Sequence, residues 1–231
     1  MSLKPIDNDP NISPQRLRIV FRKGPEVRWI GHLDVARFWE RAIRRADLPL
    51  LYTHGYHPQP RIQFASALPV GFTGREELMD IWLHPPQDPQ HVRKRLQQQC
   101  PPGFDVLSVQ EVPLKAPSLQ SLVREAEYEV GLEKAFLPAD WQERLKTFWN
   151  TEEVWREKRR KKKVVRYNLR PLILDLQIAD EDEEWVYLYV RVRSEEGATG
   201  RPDEILAALG WDDVPRRIER VRIIMDENNH S

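Results

Sequence analysis

One short segment collects more chemistry than a core would need: Tyr52-Thr53-His54-Gly55-Tyr56-His57-Pro58-Gln59-Pro60-Arg61-Ile62-Gln63-Phe64. Gly55 can take a positive φ, while Pro58 and Pro60 fix φ and remove backbone donors, so the chain is shaped rather than slack. His54, Tyr56, His57 and Arg61 add proton-transfer groups, donors and stackable rings. Such a loop is either a structural crossover or a binding site, since loops on rigid scaffolds carry much of protein function.

Three other groups of side chains could bind polyanions. Arg37, Arg41, Arg44 and Arg45 fall opposite an apolar helical stripe and form a basic ridge that leads into the loop. Arg156, Lys158, Arg159, Arg160, Lys161, Lys162 and Lys163 form a dense basic run, answered by the acidic run Asp180 to Glu184. If the two runs flank strands that pair, they simply attract each other; if not, the basic run is a phosphate-binding stripe that gains affinity by releasing counterions. Arg170-Pro171 and Arg201-Pro202 each set a fork-shaped donor beside a stiff residue, suited to holding a phosphate or to tying a loop to backbone carbonyls.

From Trp185 to Arg193 the residues alternate. Val186, Leu188, Val190 and Val192 should face the core, leaving Trp185, Tyr187, Tyr189, Arg191 and Arg193 on the other side. An aromatic and cationic sheet face can stack bases, at roughly 1 to 3 kcal/mol each, or can serve as an interface for another unit.

Enzymatic signatures are sparse. There is no Walker loop, no dinucleotide glycine pattern and no nucleophile elbow. A three-histidine metal site from His32, His54 and His57 is disfavoured by two prolines and the lack of a neighbouring carboxylate, so neither a metal nor a cofactor is expected. The single cysteine, Cys100, excludes a disulfide framework, a multi-thiolate zinc site and an iron–sulfur cluster held by three cysteines. A metal-independent ribonuclease using His57 or His32, with the Gly197 to Gly200 loop, is the enzymatic alternative, by analogy with tandem ferredoxin-like proteins of CRISPR RNA processing.

The 231 residues suffice for one large domain or two small ones, and eight Trp provide bulky core anchors. Charges balance at 36 basic and 36 acidic residues, so attraction to nucleic acid must be local rather than global. No apolar run approaches the ~18 residues that cross a bilayer and no signal peptide is evident, which predicts a cytoplasmic protein without membrane contact.

Periodicity predicts the elements that position these groups. Residues 1–15, rich in proline, read as a flexible leader. A strand at Arg16 to Phe21 is followed by a helix with Val35, Phe38, Trp39, Ala42, Ile43 and Ala46 on one face, strands at 61–67 and 78–83, a helix starting at Asp88-Pro89, and a strand at 104–112. After a linker at 113–122 the order repeats over 123–227: alternation at Ala126 to Leu132, a helical stripe at Trp141 to Trp149, extended chain at 164–178, a strand at 185–193, a helix from Pro202 closed by Gly210, and a strand at 218–225, with 228–231 as a tail. The prediction is α+β: two tandem ferredoxin-like (βαββαβ) units with antiparallel sheets.

Together with Gly31-His32-Leu33-Asp34 and Ala65-Ser66-Ala67-Leu68-Pro69-Val70-Gly71, the loop segment resembles the radical-SAM-linked protein family, a bacterial domain of unknown function. Tyr167-Asn168-Leu169-Arg170-Pro171 and Gly200-Arg201-Pro202-Asp203-Glu204 resemble its second half, so the likeness runs from about Arg16 to Met225. This chain departs from the pattern at Gly31, Thr53-His54 and Asn168, where Ser, Ser-Gln and Asp are usual. In that family the domain stands alone or is joined to a radical SAM protein, which implies a radical SAM partner.

The resulting expectation is an RNA-binding adaptor that works with a separate radical SAM enzyme. Its expected RNA contacts are Arg41, Arg45, His54, Tyr56, His57, Arg61, Arg159, Arg160, Lys161, Lys162, Lys163, Arg170, Tyr187, Tyr189, Arg191 and Arg201. The rivals are the histidine ribonuclease and a protein-interaction module that docks the radical SAM partner through its aromatic sheet face.

Overall fold

A computed structural model describes residues 13–53, 56–160, 163–195 and 197–226, apart from the side chains of Arg159, Arg160 and Lys163. The chain divides into two compact units, one reaching Val123 and including Asp226, the other spanning Arg124–Met225. Both mix helices with antiparallel strands. Among the described residues, no helix is long and apolar enough to cross a membrane.

The first unit runs β1 (Gln15–Lys23), α1 (His32–Arg45), β2 (Ile62–Phe64), β3 (Phe72–Leu83), α2 (Pro89–Gln97), β4 (Phe104–Val112) and the short α3 (Leu119–Leu122). Its strand order is β2-β3-β1-β4, every pairing antiparallel. Leu17, Ile19 and Phe21 of β1 and Met79, Ile81 and Leu83 of β3 turn one face into the core, as the period of two requires. Trp39 of α1 fills the centre, edge-on to Phe21 at 4.9 Å, while Phe38 stacks on Phe104 at 4.2 Å. Each large apolar side chain so buried contributes about 1.5 to 3 kcal/mol. Asp88 caps α2 by accepting from the His91 amide at 2.7 Å, with Pro89 preset for the first turn.

β3 starts six residues earlier than its periodicity predicts, because Thr73 to Glu77 are mostly polar and give no alternation to read. β2 is shorter than predicted. The linker predicted at 113–122 is held rather than loose: Arg16 donates to the Ala116 carbonyl at 2.7 Å and the Pro117 carbonyl at 2.9 Å, and Ser118 caps α3.

The second unit contains β5 (Val123–Glu133), α4 (Trp141–Asn150), β6 (Trp155–Arg160), β7 (Lys163–Asn168), β8 (Ile173–Glu181), β9 (Trp185–Glu195), β10 (Ala198–Thr199), α5 (Pro202–Leu209) and β11 (Arg216–Met225). β8 pairs β9, β9 pairs β5 and β5 neighbours β11, with β10 adding a short pairing to β9. α5 stops where predicted, at Gly210, whose φ of +74° lies in the left-handed region that a side chain disfavours.

β6 has no counterpart in the sequence reading. Five of its six residues are charged, so apolar alternation cannot reveal it; cross-strand hydrogen bonding to β7 makes it a strand. β6 and β7 form a separate two-stranded sheet.

Candidate nucleic-acid interface

The β6–β7 ribbon gathers the basic run into one device. Between Trp155 and Asn168 the sequence carries eight cations, Arg156, Lys158, Arg159, Arg160, Lys161, Lys162, Lys163 and Arg166, against one carboxylate, Glu157. Lys158 lies over the Tyr167 ring at 4.6 Å and Arg166 over the Trp155 ring at 4.6 Å, so aromatic faces hold cations along the ribbon. Trp155 and Val164 remain exposed, at 48% and 60%. Lys161 and Lys162 lie outside the described residues, as do the side chains of Arg159, Arg160 and Lys163.

The acidic run does not pair with this ribbon in the way strand pairing would have required. It closes the β8–β9 turn, where Lys134 binds the Glu181 carboxylate and the Asp182 carbonyl. Asp182 accepts from the amides of Glu184 at 2.8 Å and Trp185 at 2.7 Å, and these two bonds hold its carboxyl below the usual value.

At the base of the ribbon the two second-half motif segments meet. Arg156 Nε lies 3.1 Å from Glu204, and burial followed by the Glu204 charge pushes the Tyr167 phenol up. Arg201 grips Asp203 through two bonds, at 3.0 and 2.5 Å, and this pairing raises its pKa. Arg170 donates to the Ile173 and Trp149 carbonyls, both at 3.1 Å, and covers the Trp149 ring at 4.3 Å. Asn168 accepts from the amides of Val154 and Arg170. Arg170 is thus engaged as a loop tie, and Arg201 in a local pair with Asp203.

The β9 face has the predicted alternation: Val186, Leu188, Val190 and Val192 are buried, and Trp185, Tyr187, Tyr189, Arg191 and Arg193 lie on the other side. Its charges, however, are matched. Arg191 approaches Glu125 at 3.7 Å, Arg193 approaches Glu195 at 3.9 Å and Arg222 bonds Glu127 at 3.0 Å. Tyr189 and Tyr187 hydrogen-bond Glu127 and Asp182, and Arg217 covers Trp185 at 4.3 Å. Opposite β9 stands β5, whose Glu125, Glu127 and Glu129 oppose Arg193, Arg191 and Tyr189 in register.

In the first unit the proline-rich loop is a closed neck with an exposed tip. Tyr52 bridges to Pro60, Thr53 N donates to the Gln59 carbonyl at 2.8 Å, and Gln59 N donates to Thr53 Oγ1 at 3.0 Å. Beyond that neck Tyr56 is 96% exposed, its ring edge-on to that of His57 at 5.2 Å. His54 lies outside the described residues. Arg61 does not join the tip; its guanidinium covers the Trp82 ring at 4.8 Å. Of the basic ridge on α1, Arg37 pairs with Asp34 at 3.1 Å and Arg45 bonds the Gln99 carbonyl at 3.1 Å. Arg41 is exposed.

Between α1 and the loop neck lies a cleft of about 510 Å³, lined by His32, Leu33, Ala36, Arg37 and Glu40 from the helix and by Gln59, Pro60, Ile62, Gln63, Phe64 and Gln120. His32 sits edge-on to Phe64 at 5.2 Å. Sequence reasoning singled out only His32, Arg37 and the loop residues here. The spacing of His32, Ala36 and Glu40 was a readable signal, whereas Gln120 comes from 57 positions beyond Gln63 and gave none. For the ribonuclease alternative, His32 and His57 belong to the first unit and Gly197 to Gly200 to the second. Among the described residues no group of three or more His, Cys, Asp or Glu side chains is placed to hold a metal ion.

A family model described as "Uncharacterized protein conserved in bacteria (DUF2344)" matches residues 16–202. Among curated proteins none matches this chain. Similar solved structures include an archaeal box H/ACA sRNP Nop10-Cbf5 complex, 13% identical, covering 91% of this chain and 48% of that one with a TM-score of 0.40. A Cbf5-Nop10-Gar1 complex is 12% identical, covering 96% and 57% with a TM-score of 0.45. An unknown protein from Galdieria sulphuraria is 12% identical over 91% and 100% with a TM-score of 0.27. The chain spans about half the length of the first two.

Proposed function

The chain belongs to this bacterial family, and we propose that it is an RNA-binding adaptor whose main RNA contact is the β6–β7 ribbon. One observation carries the reading: a two-stranded ribbon, β6 and β7, in a stretch whose sequence from Trp155 to Asn168 carries eight cations and one carboxylate, with the Trp155 ring exposed. A ribbon of this kind has the charge to displace counterions from phosphates. Seven excess positive charges over fourteen residues would repel one another without a polyanion to neutralise them. Tyr56 and His57, at the exposed loop tip, are stacking groups suited to unpaired bases. Arg170 and Arg201 drop out of the contact set, because their forks are engaged by carbonyls and by Asp203.

The β9 face favours a second role within the same reading. Its arginines and tyrosines already have carboxylate partners, so a polyanion would have to compete with Glu125 and Glu127. A charge-balanced aromatic surface suits a protein partner better, and the family resemblance implies that this partner is a separate radical SAM enzyme. The element order of each unit supports the tandem ferredoxin-like reading, with β6–β7 inserted after the first helix of the second unit.

The deciding experiment titrates the full chain with single-stranded and hairpin RNA at several salt concentrations. Wild type should lose affinity steeply with salt; replacing Arg159 to Lys163 by Ala should weaken binding and reduce the log–log slope by up to ~3.5. An affinity that ignores both salt and that replacement would sink the RNA reading.

A further inference from the structure

The cleft of the first unit has a composition the ribbon does not explain. Its two walls are apolar: Leu33 and Ala36 from α1, Ile62 and Phe64 from the β2 segment. Its polar groups are the amides of Gln59, Gln63 and Gln120, the Glu40 carboxylate, the His32 ring and the Arg37 guanidinium, which is paired with Asp34 at 3.1 Å. Gln63 is fixed, its Oε1 accepting from the Leu119 amide at 2.9 Å and its Nε2 reaching Gln120 Oε1 at 3.4 Å, which leaves the Gln120 amide nitrogen available. Glu40 forms no hydrogen bond or ion pair among the described residues, although it stands in the cleft and within electrostatic range of Tyr52.

Apolar walls with amide and carboxylate groups between them fit a ligand that is flat and apolar on its faces but rich in donors and acceptors along its edge. An acyl chain would leave the amides unpaired, and a simple anion would meet Glu40 while the nearby Arg37 guanidinium is already paired with Asp34. We propose that this cleft takes one unstacked nucleobase, with Glu40 accepting from adjacent ring and exocyclic N–H groups and the Gln120 amide donating to a carbonyl oxygen. Guanine, which sets N1–H, N2–H₂ and O6 side by side, meets that pattern best. A base read on its edge and stacked on its faces is how single-stranded nucleic acid is recognised. The volume of about 510 Å³ accommodates a nucleotide-sized ligand. The proposal extends the RNA reading but does not need it, since the base could arrive on RNA or on a free nucleotide.

The test follows amide resonances of the full chain by NMR while adding GMP, AMP, CMP or UMP, and separately a G-containing single-stranded RNA. Saturable shifts at His32 to Glu40 and Ile62 to Phe64 with GMP, weakened at least about tenfold by Glu40→Gln or Gln120→Ala, are expected. Shifts with both GMP and the oligonucleotide assign the base to RNA; shifts with GMP alone keep the site and assign it to a free nucleotide. No cleft shift with any of the five probes, or binding unchanged in both variants, overturns the proposal. RNA binding through the ribbon without any cleft shift would overturn it while leaving the RNA reading intact.

Discussion

Arg16 and Asp80 lie in adjacent strands and are joined by two hydrogen bonds, Nε to Oδ2 at 2.8 Å and Nη2 to Oδ2 at 2.6 Å, with side chains 2% and 0% exposed. Arg18, directly opposite Asp80 in register, adds bonds at 2.9 and 3.1 Å. One buried carboxylate therefore serves two buried cations. Asp80→Ala should cost about 3 to 5 kcal/mol in urea unfolding, because it strands both guanidiniums away from water. A loss below ~1 kcal/mol would show that the pair is far better solvated than its burial implies.

Arg16 also ties down the segment after β4. Arg16→Lys retains a charge but cannot reproduce a planar fork that reaches Asp80 and two carbonyls at once. Limited proteolysis at Lys115 should accelerate in this variant while the remaining fragments stay protected. Equal cleavage rates in both proteins would mean that the tie does not restrain the segment.

Arg170 provides the contrast with the ribbon. Arg170→Ala removes two bonds to carbonyls and a stacked guanidinium, and should destabilise the protein by about 1 to 3 kcal/mol with RNA affinity unchanged. If affinity falls while stability holds, its role is phosphate binding after all.

Cys100 should be chemically quiet. Burial foremost, then the Asp105 charge, pushes its thiol up to about 11, and Sγ lies 3.4 Å from the Leu96 carbonyl. At pH 8 only about one thiol in a thousand is ionised, so native protein should react with a disulfide reagent roughly 100-fold more slowly than denatured protein. Comparable rates would contradict the shielding of this half-buried thiol.

Asp182 makes the β8–β9 turn sensitive to acid. Its folded pKa lies below the unfolded value, so its contribution is fully present above the unfolded pKa of about 3.9 and is lost as pH falls through the folded one. Asp182→Ala should therefore be less stable than wild type near pH 6, with the gap closing as pH drops through that window. A gap independent of pH would assign its effect to turn geometry alone.

The local readings that succeeded rest on backbone rules. Pro89 behind Asp88 and Gly210 after Leu209 marked helix ends because their steric and capping properties act within one turn. Leu17, Ile19 and Phe21 marked a strand because a half-buried strand has period two. β6 escaped the same rule, since a strand without a buried face leaves no apolar imprint.

By itself, the sequence determined most of the succession of helices and strands, β6 and α3 excepted, the lack of thiols for a cluster and the existence of a dense cationic segment, all of which follow from composition or from neighbours a few residues apart. Only the tertiary structure decided which charges remain available. Arg16 and Arg18 alternate with the core residues Leu17 and Ile19 along β1, yet they too are buried, on Asp80, 64 and 62 positions away. Arg170 met carbonyls up to 21 residues away, and Glu40 and Gln120 came to share one cleft. A charge's partner depends on where the chain returns in space, and that distance is not encoded in any local period.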